Sequence, residues 1–452
     1  MASIAQTNLF SWEKIDASSD LDRLEVILSV LPDEELMRAL ELQRGHGRDD
    51  YPVRAIWNSI IAGVVFQHIS IESLRRELQR NGELRALCGF NPLPGSAAVP
   101  PSWVYTRFLK NLMAEMEGIR GMFDHLVELV REELPDLGQN IAGDSKALPS
   151  LGKATDKDAD GRRETDADWG KKKYSGKRAD GSLWKKVTSW FGFKVHLLVD
   201  ATYELPLAFG VTRASVNDTT QVIPLLASLK EKHEQLVKES DYLTLDRGYD
   251  SAENNREIYD EYGIKALIDI RHDWKDGEKT RLVDPEGLDR IVYDEDGTIF
   301  CVHQSAHNAR KIEVSPMYFD GFEASRKTLK YRCPAAVYGI DCPQRSECSC
   351  TPYGRVVRIP LERDRRHFVP VPRATLKWER MYASRTTVER VNSRLDVSFM
   401  FENHYIRGQS KMEFRIGIAL VIMLALALGA IKAGAQDQMR SLVRKLPDIR
   451  AA

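Results

Sequence analysis

Residues 242–251 read YLTLDRGYDS and contain the feature on which the fold assignment depends. The short apolar run predicts a β-strand that ends on Asp246, and an Arg-Gly pair turns the chain directly afterwards. An acidic residue ahead of a glycine is common in ordinary turns, so this segment alone does not indicate a functional site. The interpretation depends on which other residues the fold brings to Asp246.

The composition is typical of a globular chain. Its 452 residues are 43% hydrophobic and 29% charged, with a net charge of −1, and this length is enough for two or three domains. The N-terminus has no basic stretch followed by an apolar one, so we expect no signal peptide. Six cysteines are too few for a disulfide framework in so long a chain, which predicts a reducing cytoplasm.

One apolar segment, residues 416–431 (IGIALVIMLALALGAI), has to be distinguished from a membrane span. It is sixteen residues long, whereas a span needs about 20. Arg415 and Lys432 flank it directly, and two glycines lie within it. We therefore predict a helix buried inside the protein and no membrane partner.

The pattern of apolar residues changes near residue 140. Helical spacing dominates residues 1–130. A short turn near 68–70 is compatible with a helix-turn-helix element that binds DNA, and the whole region is equally compatible with a packing or dimerisation domain. Strands and helices then follow in the order β-β-β-α-β-α-β, which predicts a mixed α/β sheet flanked by helices. A Gly-, Pro-, Arg- and Cys-rich stretch that breaks this order is interpreted as an insertion. The predicted units are 1–135, 136–270, 271–375 (the insertion), 376–435 and a tail, 436–452.

Two carboxylates are predicted to meet at one edge of this sheet. Asp144 ends the first strand and Asp246 ends the fourth, which we expect to lie parallel and adjacent to the first. Side by side, the two acids repel each other and raise one pKa, and a divalent cation relieves that repulsion. Mg²⁺ prefers one or two carboxylates together with water and phosphate oxygens, so the pair suits magnesium.

A third acid is expected from a helix that crosses the same edge. In residues 381–397 (MYASRTTVERVNSRLDV), Tyr382, Arg385 and Glu389 fall at i, i+3 and i+7, beside a stripe of apolar residues. One face would then present an aromatic ring, a guanidinium and a carboxylate in line. The alternative is an ordinary exposed Arg385–Glu389 pair.

Two basic stretches stand out from the nearly neutral chain. Residues 171–186 carry seven Lys or Arg against one acid, and residues 354–380 carry eight against three. The first lies in a polar segment, 152–186, that we expect to be a loop or a long hairpin. Aromatic residues interleave with these charges, which suits a phosphate backbone with stacked bases better than a plain solvated surface.

Four cysteines lie within residues 333–350 (CPAAVYGIDCPQRSECSC). Four thiolates suit a tetrahedral zinc ion, although the spacing C-x8-C-x5-C-x-C is not the usual C-x2-C pair. Free thiols are the alternative. The other two cysteines, Cys88 and Cys301, are interpreted as isolated core residues. The candidate zinc ligands are Cys333, Cys342, Cys348 and Cys350.

Together these segments resemble bacterial insertion-sequence transposases of the DDE type, which have an RNase H-like catalytic domain and an all-helical N-terminal domain. IAGDSKAL (141–148) resembles the strand of the first aspartate, and LTLDRGYDS (243–251) resembles the motif of the second. YASRTTVERVNSRL (382–395) resembles the Tyr-x2-Arg-x3-Glu signature of the third acid. WFGFKVHLLVDATYELPLAFGVTRASVNDTT (190–220) resembles the intervening hairpin. The resemblance extends from about residue 50 to residue 432.

The sequence departs from the signature at one position. The family usually has a lysine seven residues after the glutamate, whereas position 396 is Asp. Arg394 lies nearby, and we expect it to replace part of the missing charge on the DNA end.

The resemblance implies DNA cleavage at the ends of an insertion sequence and strand transfer into target DNA, both by two-metal phosphoryl transfer. Asp144, Asp246 and Glu389 would be the catalytic residues and would hold two Mg²⁺ ions, for which Mn²⁺ can substitute. Alternatives on the same scaffold are a non-catalytic DNA-binding protein and a nuclease that does not join strands.

The resemblance also implies the partners. They are double-stranded DNA, as terminal repeats and as target, and further copies of the chain in a dimer or higher oligomer. The expected location is the bacterial cytoplasm, at the nucleoid. The implied DNA-binding residues are Tyr382, Arg385, Arg394, Lys171, Lys172, Lys173, Lys177, Arg178, Lys185 and Lys186.

Overall fold

Helices fill the part of the chain that precedes the sheet. The structure is a computed structural model, and it describes residues 19–45, 50–91, 93–152, 164–178, 180, 182–285, 287–308, 310–348 and 352–440. Pro32 separates the first two helices, because proline has no N–H for a helix interior. The helices are α1 (Ser19–Val30), α2 (Glu34–Arg44), α3 (Val53–Val65), α4 (Ile71–Arg80), α5 (Gly82–Cys88), α6 (Ser102–Ala114) and α7 (Met116–Glu133).

A mixed sheet of six strands, counted over the described residues, lies at the centre of the molecule. The strands run in the order β2-β3-β1-β5-β6, and β4 pairs with β3 on the edge opposite β1. The predicted pairing is confirmed, since β1 is antiparallel to β3 and parallel to β5. The strands are β1 (Asn140–Pro149), β2 (Asp168–Lys177), β3 (Leu183–Asp200), β4 (Pro206–Arg213), β5 (Tyr242–Leu245) and β6 (Lys265–Ile268).

The predicted strand order lacked one strand. The structure has β2 as a fourth strand ahead of the first helix of the sheet, and it forms a long two-stranded ribbon with the first half of β3. This ribbon confirms the hairpin interpretation for the part of 152–186 that is described. A Cβ atom on Gly170 would lie 2.4 Å from the Trp190 ring, and one on Gly176 would lie 2.7 Å from the Trp184 ring. The glycines and lysines of β2 hid the strand because neither has a strand-like pattern.

The segment between β6 and the C-terminal helices has its own apolar core. Two antiparallel sheets, with orders β10-β9-β8-β7 and β11-β12-β13, share buried side chains such as Ile291, Leu329 and Phe368. The helices that precede this segment in the chain are α8 (Val222–Lys232), α9 (Glu234–Glu239) and α10 (Ala252–Asp260). The elements of the segment itself are β7 (Arg281–Asp284), β8 (Leu288–Tyr293), β9 (Ile299–Gln304), β10 (Ile312–Pro316), β11 (Tyr318–Glu323), β12 (Thr328–Arg332), α11 (Pro334–Tyr338), α12 (Arg345–Cys348) and β13 (Val356–Pro360).

Three helices close the described chain: α13 (Leu376–Tyr382), α14 (Thr386–Val397) and α15 (Gln409–Lys432). A 3-10 turn (Ala383–Arg385) joins α13 to α14, and the flanking residues Tyr382 and Thr386 keep right-handed helical backbone angles. Tyr382 and Arg385 lie close enough to affect each other's pKa.

Helix α15 is long and apolar enough to cross a membrane, but 89% of its most apolar window is buried inside the protein. It packs against α1, α7 and β4, and its side chains join the N-terminal helices and the central sheet in one hydrophobic core. The position and composition of α15 are those of a core helix.

The close approach of α1 to α15 predicts opposite effects for two helical glycines. A Cβ at Gly429 would lie 2.2 Å from Cγ1 of Val26, a stiff β-branched side chain, whereas Gly121 on α7 has no atom within 4 Å of such a position. We expect Gly429→Ala to lower the free energy of unfolding by about 1–3 kcal/mol through overpacking. The control, Gly121→Ala, should raise it by roughly 0.5–1 kcal/mol through helix propensity. Urea unfolding followed by circular dichroism measures both, and equal effects would contradict the packing.

Candidate active site

The register between β1 and β5 places the two predicted aspartates next to each other. Gly143 is paired with Leu245, so the residues that follow, Asp144 and Asp246, lie side by side on the same face of the sheet. The prediction that Asp144 ends its strand is wrong, because β1 continues to Pro149 by pairing with β3, and only Asp246 follows a strand end. Oδ1 of Asp246 accepts a hydrogen bond from the Gly248 N–H at 2.7 Å and thereby caps the 3-10 turn 247–249. A side chain at Gly248 would collide with that carboxylate, which explains the glycine.

The Asp144 carboxyl is difficult to ionise. Its pKa is raised to about 6, mainly by burial and also by the neighbouring Asp246 carboxylate, while Lys172 and Arg385 act in the opposite direction. Lys172 reaches this point from β2, and its Nζ donates to the carbonyl oxygen of Ser145 at 3.3 Å. A cation bound between the two aspartates would favour the charged form of Asp144.

Helix α14 brings the third predicted acid, Glu389, to the same region, where its carboxylate is hydrogen-bonded to the guanidinium of Arg385. Nη1 of Arg385 donates to Oε1 of Glu389 at 2.7 Å, and half of the Glu389 side chain (51%) is exposed. Arg385 lies close enough to Asp144 to lower that group's pKa. The structure therefore places Arg385 between Glu389 and Asp144. Over the described residues, no three His, Cys, Asp or Glu side chains converge as a metal site.

Tyr382 lies near Asp246 and Arg385. Its ring stacks on Trp378, with centroids 4.3 Å apart and an interplanar angle of 14°. Burial raises the pKa of Tyr382 to about 12, and the carboxylates of Asp269 and Asp246 add to this rise. The phenol therefore keeps its proton at neutral pH and is available as a hydrogen-bond donor.

The turn after Asp246 is held by the end of the insertion. The side chain of Asp250 is fully buried and accepts from Nε of Arg366 at 2.7 Å and from the Arg271 N–H at 2.9 Å. The Arg271 guanidinium donates to the carbonyls of Arg247, Gly248 and Asp250. The sequence predicts that Asp250 shapes the turn or the DNA groove, and its contacts lie in the turn, whereas no sequence pattern pointed to Arg271 or Arg366.

A second set of contacts holds the turn from the opposite side. Nζ of Lys194 donates to Asp218 at 2.8 Å, which fixes the loop after β4. Thr219 in that loop donates through Oγ1 to the Gly248 carbonyl at 2.8 Å. The side chain of Asn254 donates to the carbonyls of Thr219 and Tyr249 and joins the loop to α10. The backbone around Asp246 is thus fixed from both sides.

We expected Arg394 to replace part of the charge missing at position 396, but its guanidinium is bound elsewhere. The guanidinium of Arg394 is paired with Glu204, which also accepts from Nε of Arg390 at 2.6 Å. Asp396 instead forms a partly buried ion pair with Lys146, two residues beyond Asp144 on β1. The cation nearest to position 396 therefore comes from the strand, and Arg394 is directed towards the β3–β4 connection.

The basic ribbon of β2 and β3 presents most of its described cations to solvent. Lys172 alone among them is directed to the β1 edge, where it contacts Ser145. The side chains of Lys173 and Lys177 lie outside the described residues. The exposed cations of the ribbon are Lys171, Arg178, Lys185 and Lys186.

The cysteines do not form a complete site within the described chain. Cys333, Cys342 and Cys348 are free thiols, and Cys350 lies outside the described residues. The interpretation of Cys301 as an isolated residue is wrong. The pKa of Cys301 is raised to about 11, mainly by burial and also by the thiols of Cys333, Cys348 and Cys342, so the four lie near one another. Zinc binding remains a prediction.

Comparison with protein families agrees with this geometry. The family model described as "Transposase DDE domain" matches residues 153–425, more than half of the chain. The chain belongs to the DDE transposase family. The matched range of the transposase includes Asp246 and Glu389, and Asp144 lies nine residues before its start. No curated protein matches the sequence.

The raised pKa of Asp144 predicts a pH-dependent gain in stability when its charge is removed. Since the folded-state pKa lies above the ordinary value of 3.8, ionisation destabilises the folded state increasingly as the pH rises from about 4 to about 6. Asp144→Asn should therefore raise the free energy of unfolding by about 3 kcal/mol at pH 8 and by little at pH 4. Urea unfolding without divalent cations measures this. The exposed Asp437→Asn is the control, and a pH-independent gain at residue 144 would contradict the assignment.

The Lys146–Asp396 pair predicts coupling between β1 and α14. Lys146→Glu and Asp396→Lys should each lower the free energy of unfolding, because each leaves a like charge opposite the remaining partner. The double exchange should recover about 1–2 kcal/mol, which a double-mutant cycle isolates. Additive losses in the cycle would show that the two side chains do not interact in solution.

Proposed function

We propose that this transposase cleaves DNA at the ends of an insertion sequence and joins those ends to target DNA by divalent-metal phosphoryl transfer. The observation that carries the proposal is the placement of Asp144 and Asp246 on neighbouring parallel strands, beside the helix that bears Arg385 and Glu389. The strand pairing, antiparallel from β1 to β3 and parallel from β1 to β5, supports an RNase H-like arrangement of the sheet.

The residues present fit a magnesium site. Asp144 and Asp246 offer the carboxylate oxygens that Mg²⁺ prefers as ligands. The charge of Asp246 makes Asp144 harder to ionise, and a bound cation would offset this repulsion. Glu389 would complete the set by exchanging its hydrogen bond with Arg385 for the metal. Two Mg²⁺ ions held by these three acids would activate the attacking oxygen and stabilise the leaving oxygen.

The remaining residues of the site act on the DNA backbone. Once Glu389 no longer accepts its hydrogen bond, the Arg385 guanidinium is free to bind a phosphate through two parallel N–H bonds. The protonated Tyr382 phenol can donate to a neighbouring phosphate oxygen, and its ring is held in place by Trp378. Lys172 adds a positive charge at the β1 edge.

DNA beyond the site would lie along the basic ribbon. Its exposed lysines and arginine match the negative charge of a duplex without reading its sequence, so they would position the substrate. The helical segment before residue 134 would supply further DNA or protein contacts. Joining two element ends requires two active sites, for which we propose a dimer or higher oligomer on DNA.

Loss of one metal-binding carboxylate tests the proposal directly. We expect Asp246→Ala to reduce Mg²⁺-dependent strand cleavage at least about a hundredfold, because the metal loses one of its two clustered ligands. The substrate is a duplex carrying the inverted repeats that flank the gene, and products are resolved on denaturing gels. Asp241→Ala, at the opposite end of β5, is the matched control and should cleave normally.

The outcomes separate the three functions. Full cleavage by Asp246→Ala would disprove the metal assignment. Binding of the repeats without cleavage by the wild-type protein would favour a non-catalytic DNA-binding protein. Cleavage without products joined to a target plasmid would favour a nuclease.

A further inference from the structure

A third aspartate stands next to the two proposed metal ligands of the sheet. β5 pairs with β6 as well as with β1, and Ile268 at the end of β6 is the partner of Leu245. Asp269 is the residue that follows β6, just as Asp246 is the residue that follows β5. Adjacent strands lie about 4.8 Å apart, so Asp144, Asp246 and Asp269 form a row across three strands, with Asp246 in the middle.

Asp269 differs from the other two acids of this row because an arginine neutralises it. Its Oδ2 accepts a hydrogen bond from Nε of Arg247 at 2.9 Å and a second one from Nη2 of the same guanidinium. Its Oδ1 accepts from the Ile270 N–H at 2.9 Å. Arg247 directly follows Asp246 in the 3-10 turn, and Asp269 is the only acid with which it forms an ion pair in the described part of the chain.

Asp246 is left without an ion pair, although an arginine is its neighbour in the sequence. Its carboxylate accepts a hydrogen bond from the Gly248 N–H, and it forms no ion pair with any Lys, Arg or His among the described residues. Arg385, the other guanidinium near the site, is engaged with Glu389. Both arginines are thus kept off Asp246, and its oxygens are free for another cation.

The guanidinium of Arg247 is near enough to the site to compete for Asp246. The charges of Asp246 and Arg247 both act on the pKa of Tyr382, so the two groups lie near one phenol ring. About half of the Arg247 side chain (52%) is exposed, and the only acid that holds it is Asp269 within the described structure. The position of this positive charge therefore depends on one carboxylate.

A second guanidinium near Asp269 is held by the backbone. Arg373 donates to the carbonyl oxygens of Ile268 at 2.9 Å and of Arg366 at 3.0 Å. Burial lowers the pKa of Arg373, and the Asp269 carboxylate is one of the charges that oppose this shift. Because Arg373 binds Ile268, it fixes the end of β6 from which Asp269 extends. Loss of the Asp269 carboxylate would therefore release Arg247 and leave Arg373 in place.

We propose that Asp269 is a positioning residue that holds Arg247 away from Asp246 and so keeps Asp246 available to a divalent cation. This rests on the proposed function, which assigns Asp246 to the metal. Without the Asp269 carboxylate, the Arg247 guanidinium would turn to Asp246, the neighbouring acid that has no ion pair. A guanidinium and a metal ion repel each other and compete for the same oxygens, so the affinity for the metal would fall.

The test measures Mn²⁺ binding to the full-length protein without DNA, by electron paramagnetic resonance of the free ion. Asp269→Asn should weaken binding about tenfold, as expected when a group that supports a metal ligand is lost. Asp269→Glu keeps a carboxylate for Arg247 and should bind nearly as the wild type does. The matched control is Asp276→Asn, which breaks an exposed pair with Arg281 in the insertion and should leave the affinity unchanged.

Removal of Arg247 separates this role of Asp269 from a purely structural one. Arg247→Gln should bind Mn²⁺ at least as tightly as the wild type, because it removes the competing charge. The double variant Asp269→Asn/Arg247→Gln should recover the wild-type affinity, since no guanidinium is left to occupy Asp246. A turn that had merely been loosened by the loss of Asp269 would not regain affinity when its second partner is removed as well.

Three results would overturn the proposal. Equal Mn²⁺ affinities of Asp269→Asn and the wild type would remove the inference but leave the transposase function intact. A double variant that binds no more tightly than Asp269→Asn alone would show that Arg247 is not the competitor. Asp246→Ala is the reference for the site, and wild-type binding that does not depend on Asp246 would contradict the metal assignment of the proposed function as well.

Discussion

The parallel pairing of β1 with β5 is the constraint on which the site depends, because it places two carboxylates side by side on one face of the sheet. Gly143 makes this pairing possible: a Cβ atom there would lie 2.7 Å from the Leu245 side chain and 2.9 Å from that of Leu198. A shift of one residue in register would turn Asp144 to the opposite face of the sheet. The contacts around Asp246 then fix the second carboxylate against the repulsion that the register creates.

Positive charge near the site is almost entirely engaged by the protein's own acids. Arg385 is paired with Glu389, Lys146 with Asp396, and Arg247 with Asp269. If DNA binds as proposed, the Arg385–Glu389 pair would exchange its carboxylate for a phosphate, and this exchange would favour a correctly placed backbone.

The sequence was sufficient for the pairing of β1 with β5 and for Asp246, which follows the end of β5, because short apolar runs specify strands. It was wrong about the end of β1, which continues past Asp144 to Pro149. It was insufficient for the contacts that hold this region. Arg366 reaches Asp250 across 116 residues, and Lys146 reaches Asp396 across 250, without any periodic pattern that joins them. For β2 the sequence left a loop and a long hairpin open, because glycine and lysine carry no strand preference that would decide between them.

The buried Asp250–Arg366 contact also affects how the protein is made. A ribosome that adds about 5–20 residues per second delivers Arg366 roughly 6–23 s after Asp250, since 116 residues separate them. During that interval the nascent chain has both aspartates but lacks the arginine that locks the second one and the helix that carries the third acid. The active site therefore cannot be completed until the insertion has been synthesised. A truncated chain released before that point would lack a complete active site and could not act on nearby DNA.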